Sequence, residues 1–489
     1  MKRALTVVLA ATLVAGGGLC ARAEEPYNKF DRGVGIAKTD KLALDIWGRG
    51  QMLGVGQIVA DPVAGNVRVY EFLKQARLGF NGRYEDLFDY QVEFSYGGEN
   101  QNSLQSMAGG YDLLDFVADV PVKALGENTI VKLGQFRVPY GREALGDEGY
   151  QNFADRSIAN LATNHGRDYG LAIMGTRGLW TATIGTFPDG GRDVAQRYLP
   201  ETLGIPEIVA RVGYNDGVDA DLYHVMGTDR KLTRDAKAFY LNALFERDTR
   251  IGHSSALMSH SVDGNLLANT GYNPYINRAT IPNLANATNG ICSGPSCERG
   301  VLWNVGGDAV YRHPTGGGRA VELEGQADWG GYNNKFGTLH IASARAQAGY
   351  QTGPWGIGAR AAVLSMDRKA GFLSTTANAN ADNGGAALPG TTGTGKTYQY
   401  TLGMGKPIWE ITPSITYHFK NHTMKLVADL PIYLDDPLWY DHSNGVYMFG
   451  DPTGTTQQSI MAASTATAPL NSMKRMTNVE ARMLFQFQF

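Results

Sequence analysis

The stretch Gly390-Thr391-Thr392-Gly393-Thr394-Gly395-Lys396-Thr397 spells the formula in which backbone amides cradle a nucleotide's phosphates. That chemistry needs a buried strand before the loop and a helix opening after it. Here an Asn/Ala/Gly run precedes it, and Thr397-Tyr398-Gln399-Tyr400 alternates as a strand does. The segment therefore reads as an exposed Gly/Thr loop. The nine histidines form no HExxH and no paired metal spacing, and His253 and His260 share a polar loop. His340 and Ser343 come nearest to a base and a nucleophile, but three residues along a strand place them on opposite faces. No GxSxG elbow is present. Nothing joins a nucleophile to its base, so the chain is expected to be no enzyme and to need no metal or cofactor.

The elements around these residues explain why no such site assembles. The chain has 489 residues, 62 of them glycine, with 10% aromatic and only 19% charged residues. Met1-Lys2-Arg3, the apolar run Ala4 to Leu19 and the small-x-small Ala21-Arg22-Ala23 read as a secretory leader, residues 1–23, cleaved before Glu24. Its removal takes three of the 44 basic residues and none of the 47 acidic ones, so residues 24–489 carry −6. A mildly acidic chain argues against nucleic acid as a partner, because phosphate neutralisation needs a basic surface. Cys292 and Cys297 then remain as an even pair in an exported protein, which reads as a disulfide closing a tight loop tip.

No apolar stretch after the leader is long enough for a transmembrane helix. What recurs is a period of two. Asp89 to Tyr96 places Tyr90, Val92, Phe94 and Tyr96 on one face and Asp89, Gln91, Glu93 and Ser95 on the other. Val321 to Trp329 repeats the pattern with Glu322, Glu324 and Asp328 on the polar face. A soluble β-sandwich would alternate too, but three features favour a membrane barrel. Candidate strands reach about ten residues, the length that crosses a bilayer at a tilt. Aromatics such as Trp47, Tyr70, Trp180, Trp303, Trp329 and Trp355 gather near strand ends, as an interfacial girdle requires. Phe485, Phe487 and Phe489 form one face of the last strand, and an apolar strand ending in an aromatic resembles the assembly signal of bacterial outer-membrane barrels.

Strands are expected near 42–57, 67–83, 88–97, 111–120, 129–138, 168–176, 179–187, 206–214 and 235–248. More follow near 301–313, 319–330, 337–350, 355–366, 397–417, 422–433 and 475–489, the 397–417 segment long enough to hide a hairpin. The expected fold is all-β, a transmembrane antiparallel β-barrel of sixteen or eighteen strands with an infolded constriction loop. Residues 250–299, 367–396 and 434–474 read as surface loops, and the charged, helix-forming stretch within 139–167 as the constriction.

Gln75-Ala76-Arg77-Leu78-Gly79-Phe80-Asn81-Gly82-Arg83 resembles a strand motif of the phosphate-selective porin O/P family, as does Val131 to Gly141. Asp155-Arg156-Ser157-Ile158-Ala159-Asn160 and Gly166-Arg167-Asp168-Tyr169-Gly170 extend the resemblance over about residues 70–190. The resemblance implies an outer-membrane channel, usually a homotrimer, in which arginines and lysines of the constriction and wall attract small anions such as phosphate. By position the pore residues would be Arg77, Arg137, Arg156 and Arg167, with Arg142 added by its place alone and Arg345 and Arg360 from the faces assigned to the lumen. A guanidinium suits this role because its fork binds oxyanions and stays charged. The acidic balance and the mixed charges of the lumen faces depart from a purely anion-selective pattern.

The expected function is passive diffusion of small hydrophilic solutes across a Gram-negative outer membrane. The expected partners are small anions, the lipid bilayer with its lipopolysaccharide, and the barrel-assembly machinery. Two alternatives remain at this level. One is a barrel sheathing a multihaem cytochrome, whose haem would come from the partner because this chain has no CxxCH. The other is a receptor or adhesin acting through loops 250–299 and 434–474.

Overall fold

The computed structural model describes the chain outside residues 1–33, 40, 59–66, 97–111, 127, 164, 188–205, 217–233, 251–298, 335–336, 367–368, 378–395, 403–406, 421–422, 437, 442–445 and 450–475. The leader, Cys292, Cys297, and most of loops 250–299 and 434–474 lie outside the described residues.

One antiparallel sheet closes on itself. A short β1 (Val34–Lys38) leads into β2 (Leu42–Ile58), β3 (Val67–Tyr84), β4 (Phe88–Tyr96), β5 (Asp112–Pro121) and β6 (Thr129–Arg137). The chain returns through β7 (Arg167–Arg177), β8 (Trp180–Phe187), β9 (Glu207–Asn215) and β10 (Ala236–Arg250). β11 (Arg299–Gly316), β12 (Arg319–Asn334), β13 (Gly337–Thr352) and β14 (Trp355–Met366) follow. A separate hairpin, β15 (Lys369–Ala377) with β16 (Lys396–Leu402), precedes β17 (Ile408–Lys420). β18 (Met424–Asp429) and β19 (Ile432–Asp436) form one lane broken at Leu430-Pro431, since both pair with β17 and with the last strand. A second small hairpin joins β20 (Leu438–Asp441) to β21 (Val446–Phe449), and β22 (Met476–Gln488) pairs with β2 to close the ring.

The result is a sixteen-lane barrel. β1 adds no seventeenth lane: it pairs with β2 at Ile46 to Ala43, immediately beyond the point where Phe489 bonds Gly48, and so continues the lane of β22. Two corrections to the sequence reading follow. Residues 367–396 and 434–474 are not wholly loop, because β15, β20 and β21 fall within them. Residues 397–417 hold two strands, of which β16 lies outside the barrel sheet.

Closure leaves no sheet edge in the membrane, and alternation sorts the faces. Along β17, Trp409, Ile411, Ile415 and Phe419 are exposed on the outer wall while Glu410, Thr412, Thr416 and His418 are buried inside. Phe487 and Phe489 also face outward, as do Trp180, Trp329 and Trp355. Trp47 does not. It shares the inner face with Arg49 and Gln51, is fully buried, and sits 6.0 Å from the Arg49 guanidinium, which removes it from the girdle. His340 stacks on Trp329 of the outer wall whereas Ser343 is buried inside, so the two never meet.

Candidate functional site

The connection between β6 and β7 turns into the barrel. Val138 is bonded to Gly166 at its root, and Gly141 turns the chain inward with φ of 69°, a left-handed conformation that suits glycine. A Cβ there would also lie 2.7 Å from the Gln326 amide of β12. Beyond this turn the segment carries a helical turn, Arg142–Leu145, and a short helix, Ile158–Thr163.

The wall holds this segment by its backbone. Lys74 donates to the Ala154 carbonyl at 2.7 Å, Lys425 to that of Gln151 at 2.6 Å, and Arg360 to that of Asp155 at 2.9 Å. Asp429 accepts from the Ala154 amide at 2.8 Å and Glu410 from the Ile158 amide at 2.6 Å. Gln486 and Gln326 add contacts to Gly149 and Glu143. Leu53, Val55, Val427 and Leu484 form an apolar seat for Ala154. Anchors thus come from β3, β12, β14, β17, β18 and β22, and the segment crosses the lumen rather than lining one side.

Side chains complete the constriction. Glu148 is a shared counter-ion, receiving Arg156 at 2.9 Å, Arg77 at 3.2 Å and the Gln75 amide at 2.8 Å. Burial opposes its ionisation, but Arg156 and Arg77, then Lys74 and Arg137, overcome this and hold its carboxyl well below the usual range. Arg77 also pairs with Glu93 at 3.0 Å. Arg137 stands directly across the ladder from Arg167. The two guanidiniums diverge, Arg137 to the carbonyls of Ala144 and Gly146, each at 2.7 Å, and Arg167 to both oxygens of Asp115.

The other expected residues lie in the same lumen. Arg345 reaches Glu324 and, at 3.0 Å, Glu143; Arg360 reaches Glu410 at 2.6 Å and lies over Phe153. Arg142 is 2% exposed and 3.1 Å from Glu324, yet none of its guanidinium nitrogens makes a hydrogen bond of good geometry. All seven arginines therefore lie in the infolded segment, at its roots or on the wall inside the barrel. The motif reading passed over Lys74, Arg49 and Glu148. Lys74 is the extra residue of a β-bulge, where Gln51 pairs with Gln75 but Met52 with Leu73, so Lys74 and Gln75 both turn inward.

Across the lumen, β9 to β12 present carboxylates instead. Glu207, Glu246, Asp308 and Asp328 are all buried, with Asp308 held bidentately by Arg211. His165, at the end of the infolded segment, is 3.4 Å from Glu207 and edge-on to Tyr140. Burial lowers its pKa to about 4, against the opposing pull of Asp328 and Glu246, so the ring is neutral near pH 7.

A closed sixteen-lane sheet with an apolar outer wall, a polar interior and an inward-folded connection has the architecture of a transmembrane β-barrel. The model of the family "Phosphate-selective porin O and P" matches residues 64–227, which hold β3 to β9 and the whole constriction. The resemblance carried by the Arg77, Arg137 and Arg167 motifs is to this family. No curated protein matches the chain. Among solved structures, the outer-membrane channel DcaP of Acinetobacter baumannii is 8% identical with a TM-score of 0.48, covering 93% of this chain and 99% of its own. The anion-selective porin of Comamonas acidovorans is 10% identical with a TM-score of 0.47, covering 92% and 100%. OmpF of Salmonella typhi is 14% identical with a TM-score of 0.44, covering 93% and 100%. The family match over residues 64–227 and the closed barrel support an outer-membrane channel for small solutes.

Proposed function

We propose that this channel favours small anions, phosphate-like oxyanions among them. The observation that carries the reading is the crowding of Arg77, Arg137, Arg156 and Arg167 around three carboxylates, Glu93, Asp115 and Glu148. Four guanidiniums against three carboxylates leave a local positive excess at the infolded segment, and Arg142, paired with Glu324, adds a further guanidinium. An anion arriving there finds charge already desolvated and held in place, so little reorganisation is needed.

In the same proposal residues 1–23 are a leader removed on secretory export, and residues 24–489 form the mature barrel. Phe485, Phe487 and Phe489 serve as the signal read by the assembly machinery, in an outer wall facing lipid and lipopolysaccharide. Three copies associate, as the family resemblance implies. A segment anchored across the lumen from six strands supports a channel over a cytochrome sheath, whose interior would have to admit the partner.

Single-channel recording in planar bilayers tests the selectivity. Under a KCl gradient the reversal potential should favour chloride, and phosphate should reduce the chloride current. The pair Arg137→Met and Arg156→Met should raise the half-blocking phosphate concentration about tenfold. A cation-leaning reversal potential with no phosphate block would overturn the proposal and leave a general porin.

A further inference from the structure

Residues 141–160 run through the lumen, and every one except Leu145 and Asp147 is buried. The wall around them is equally dry. Arg49 of β2, Arg77 of β3, Arg211 of β9, Arg345 of β13, Glu410 of β17 and Arg482 of β22 all point inward and are 5% exposed or less. A segment that lines a water-filled eyelet keeps one face wet, and so does the wall opposite it. Here both faces are held. Lys74 and Lys425 take the Ala154 and Gln151 carbonyls, while Gln326 and Arg345 take the amide and carboxylate of Glu143.

The two roots are built alike. Gly141 and Gly166 both have φ of 69°, and the Val138 amide donates to the Gly166 carbonyl, which draws the roots together. Glycine changes its backbone angles at little steric cost, so such a pair can serve as a hinge. Between the roots the hold is largely hydrogen bonds and ion pairs, which water can replace once the segment lifts. It is most open to water at Asp147, whose side chain is 16% exposed. The partner there is Arg49, whose Nε and Nη2 make no hydrogen bond.

We infer that residues 141–163 are a gate, shut in this conformation, that swings on its glycine roots and loosens first at Asp147. The inference rests on the channel reading and adds a regulation to it. Solute passes only while the segment is lifted, so the chain conducts in discrete openings rather than through a permanent eyelet.

The test locks the segment in place and reads single-channel current in planar bilayers. Ala154 and Leu53 share one apolar cluster. The double variant Leu53→Cys, Ala154→Cys, checked for folding by heat-modifiable gel migration, is oxidised with copper phenanthroline and then reduced with dithiothreitol. The locked protein should pass at least about tenfold less current, recovered on reduction. A phosphate-blocked current unchanged by the lock would overturn the gate alone, because a fixed segment would then leave a passage. Current absent from every variant and condition would overturn the channel reading and the gate with it. The unaltered protein should show closures to baseline, and Asp147→Asn should raise its open fraction. A single steady open level in the unaltered protein would overturn the gate even if the cysteine pair failed to form.

Discussion

Arg137 faces Arg167 across β6 and β7, and Glu207 and Glu246 each lie one residue beyond the last ladder pair of β9 and β10, Ile208 with Phe245. Both pairs place like charges on the inner wall, near the roots of the same infolded segment. The arginines are resolved by the protein itself: one guanidinium caps loop carbonyls and the other takes a carboxylate in two hydrogen bonds. Glu207 instead meets a neutral histidine. The contrast teaches that ion pairing on the arginine side is structural, clamping the segment. On the acidic side the carboxylates meet fewer cations: Asp308 takes Arg211, Asp328 takes the Gln326 amide, and Glu207 meets the imidazole.

The largest expected effect lies on the clamped side. Glu148→Gln withdraws the carboxylate that Arg77 and Arg156 share, leaving Arg77 to Glu93 and Arg156 to the carbonyls of Glu143 and Gly146. Urea unfolding in detergent micelles should show a loss of about 3–5 kcal/mol. Asp328→Asn on the acidic side should be close to neutral, and equal losses from both variants would erase the distinction between the two walls.

Acid should separate the walls next, because the pKa shifts place them in different pH windows. The unfolded chain protonates His165 near 6.5 and the folded chain only near 4, so stability falls as pH drops through that interval. The loss should approach about 3 kcal/mol. The groups facing the imidazole are Glu207, Asp328, Glu246 and Tyr140. Glu148 behaves oppositely in position: its folded pKa is depressed, so its contribution is full above the unfolded carboxylate range and lost only as pH falls through the lower, folded value. Proteolysis of the segment near His165 should therefore increase between pH 6.5 and 4, and the variant His165→Phe should flatten that rise.

A smaller effect is expected at Gly306. A Cβ there would collide with Asp328 Oδ1, so Gly306→Ala should cost about 1–3 kcal/mol in urea unfolding. The smallest belongs to the exposed pair Lys41–Glu85, 3.6 Å apart, where Lys41→Ala should change stability by less than about 1 kcal/mol. A larger loss there would mean that clamping is a general property of this barrel's charges rather than of its lumen.

Much of this was legible in the residues. Period-two runs such as Asp89 to Tyr96 located the barrel strands to within a few residues, because one face must meet lipid and the other water. Where alternation is short or local geometry breaks it, the reading fails. β1 has five residues of weak pattern, and β15 and β16 pair only with each other, outside the wall that enforces alternation. Trp47 was misplaced by its nearness to a strand end, although its parity with Arg49 and Gln51 pointed inward. Lys74 was hidden by a bulge, which residue types alone do not announce. The motifs gathered arginines correctly into one lumen, but which carboxylate each one meets depends on how the infolded segment crosses it. Glu148 becomes a hub only through that crossing.

The segment between β6 and β7 crosses the lumen of an otherwise open barrel. Its most direct test is single-channel conductance after residues 143–163 are replaced by a short Gly/Ser linker, which would return Lys74, Lys425 and Arg360 to water. A folded barrel with a conductance several-fold larger and a weaker phosphate block is expected. An unchanged conductance in a folded barrel would contradict it.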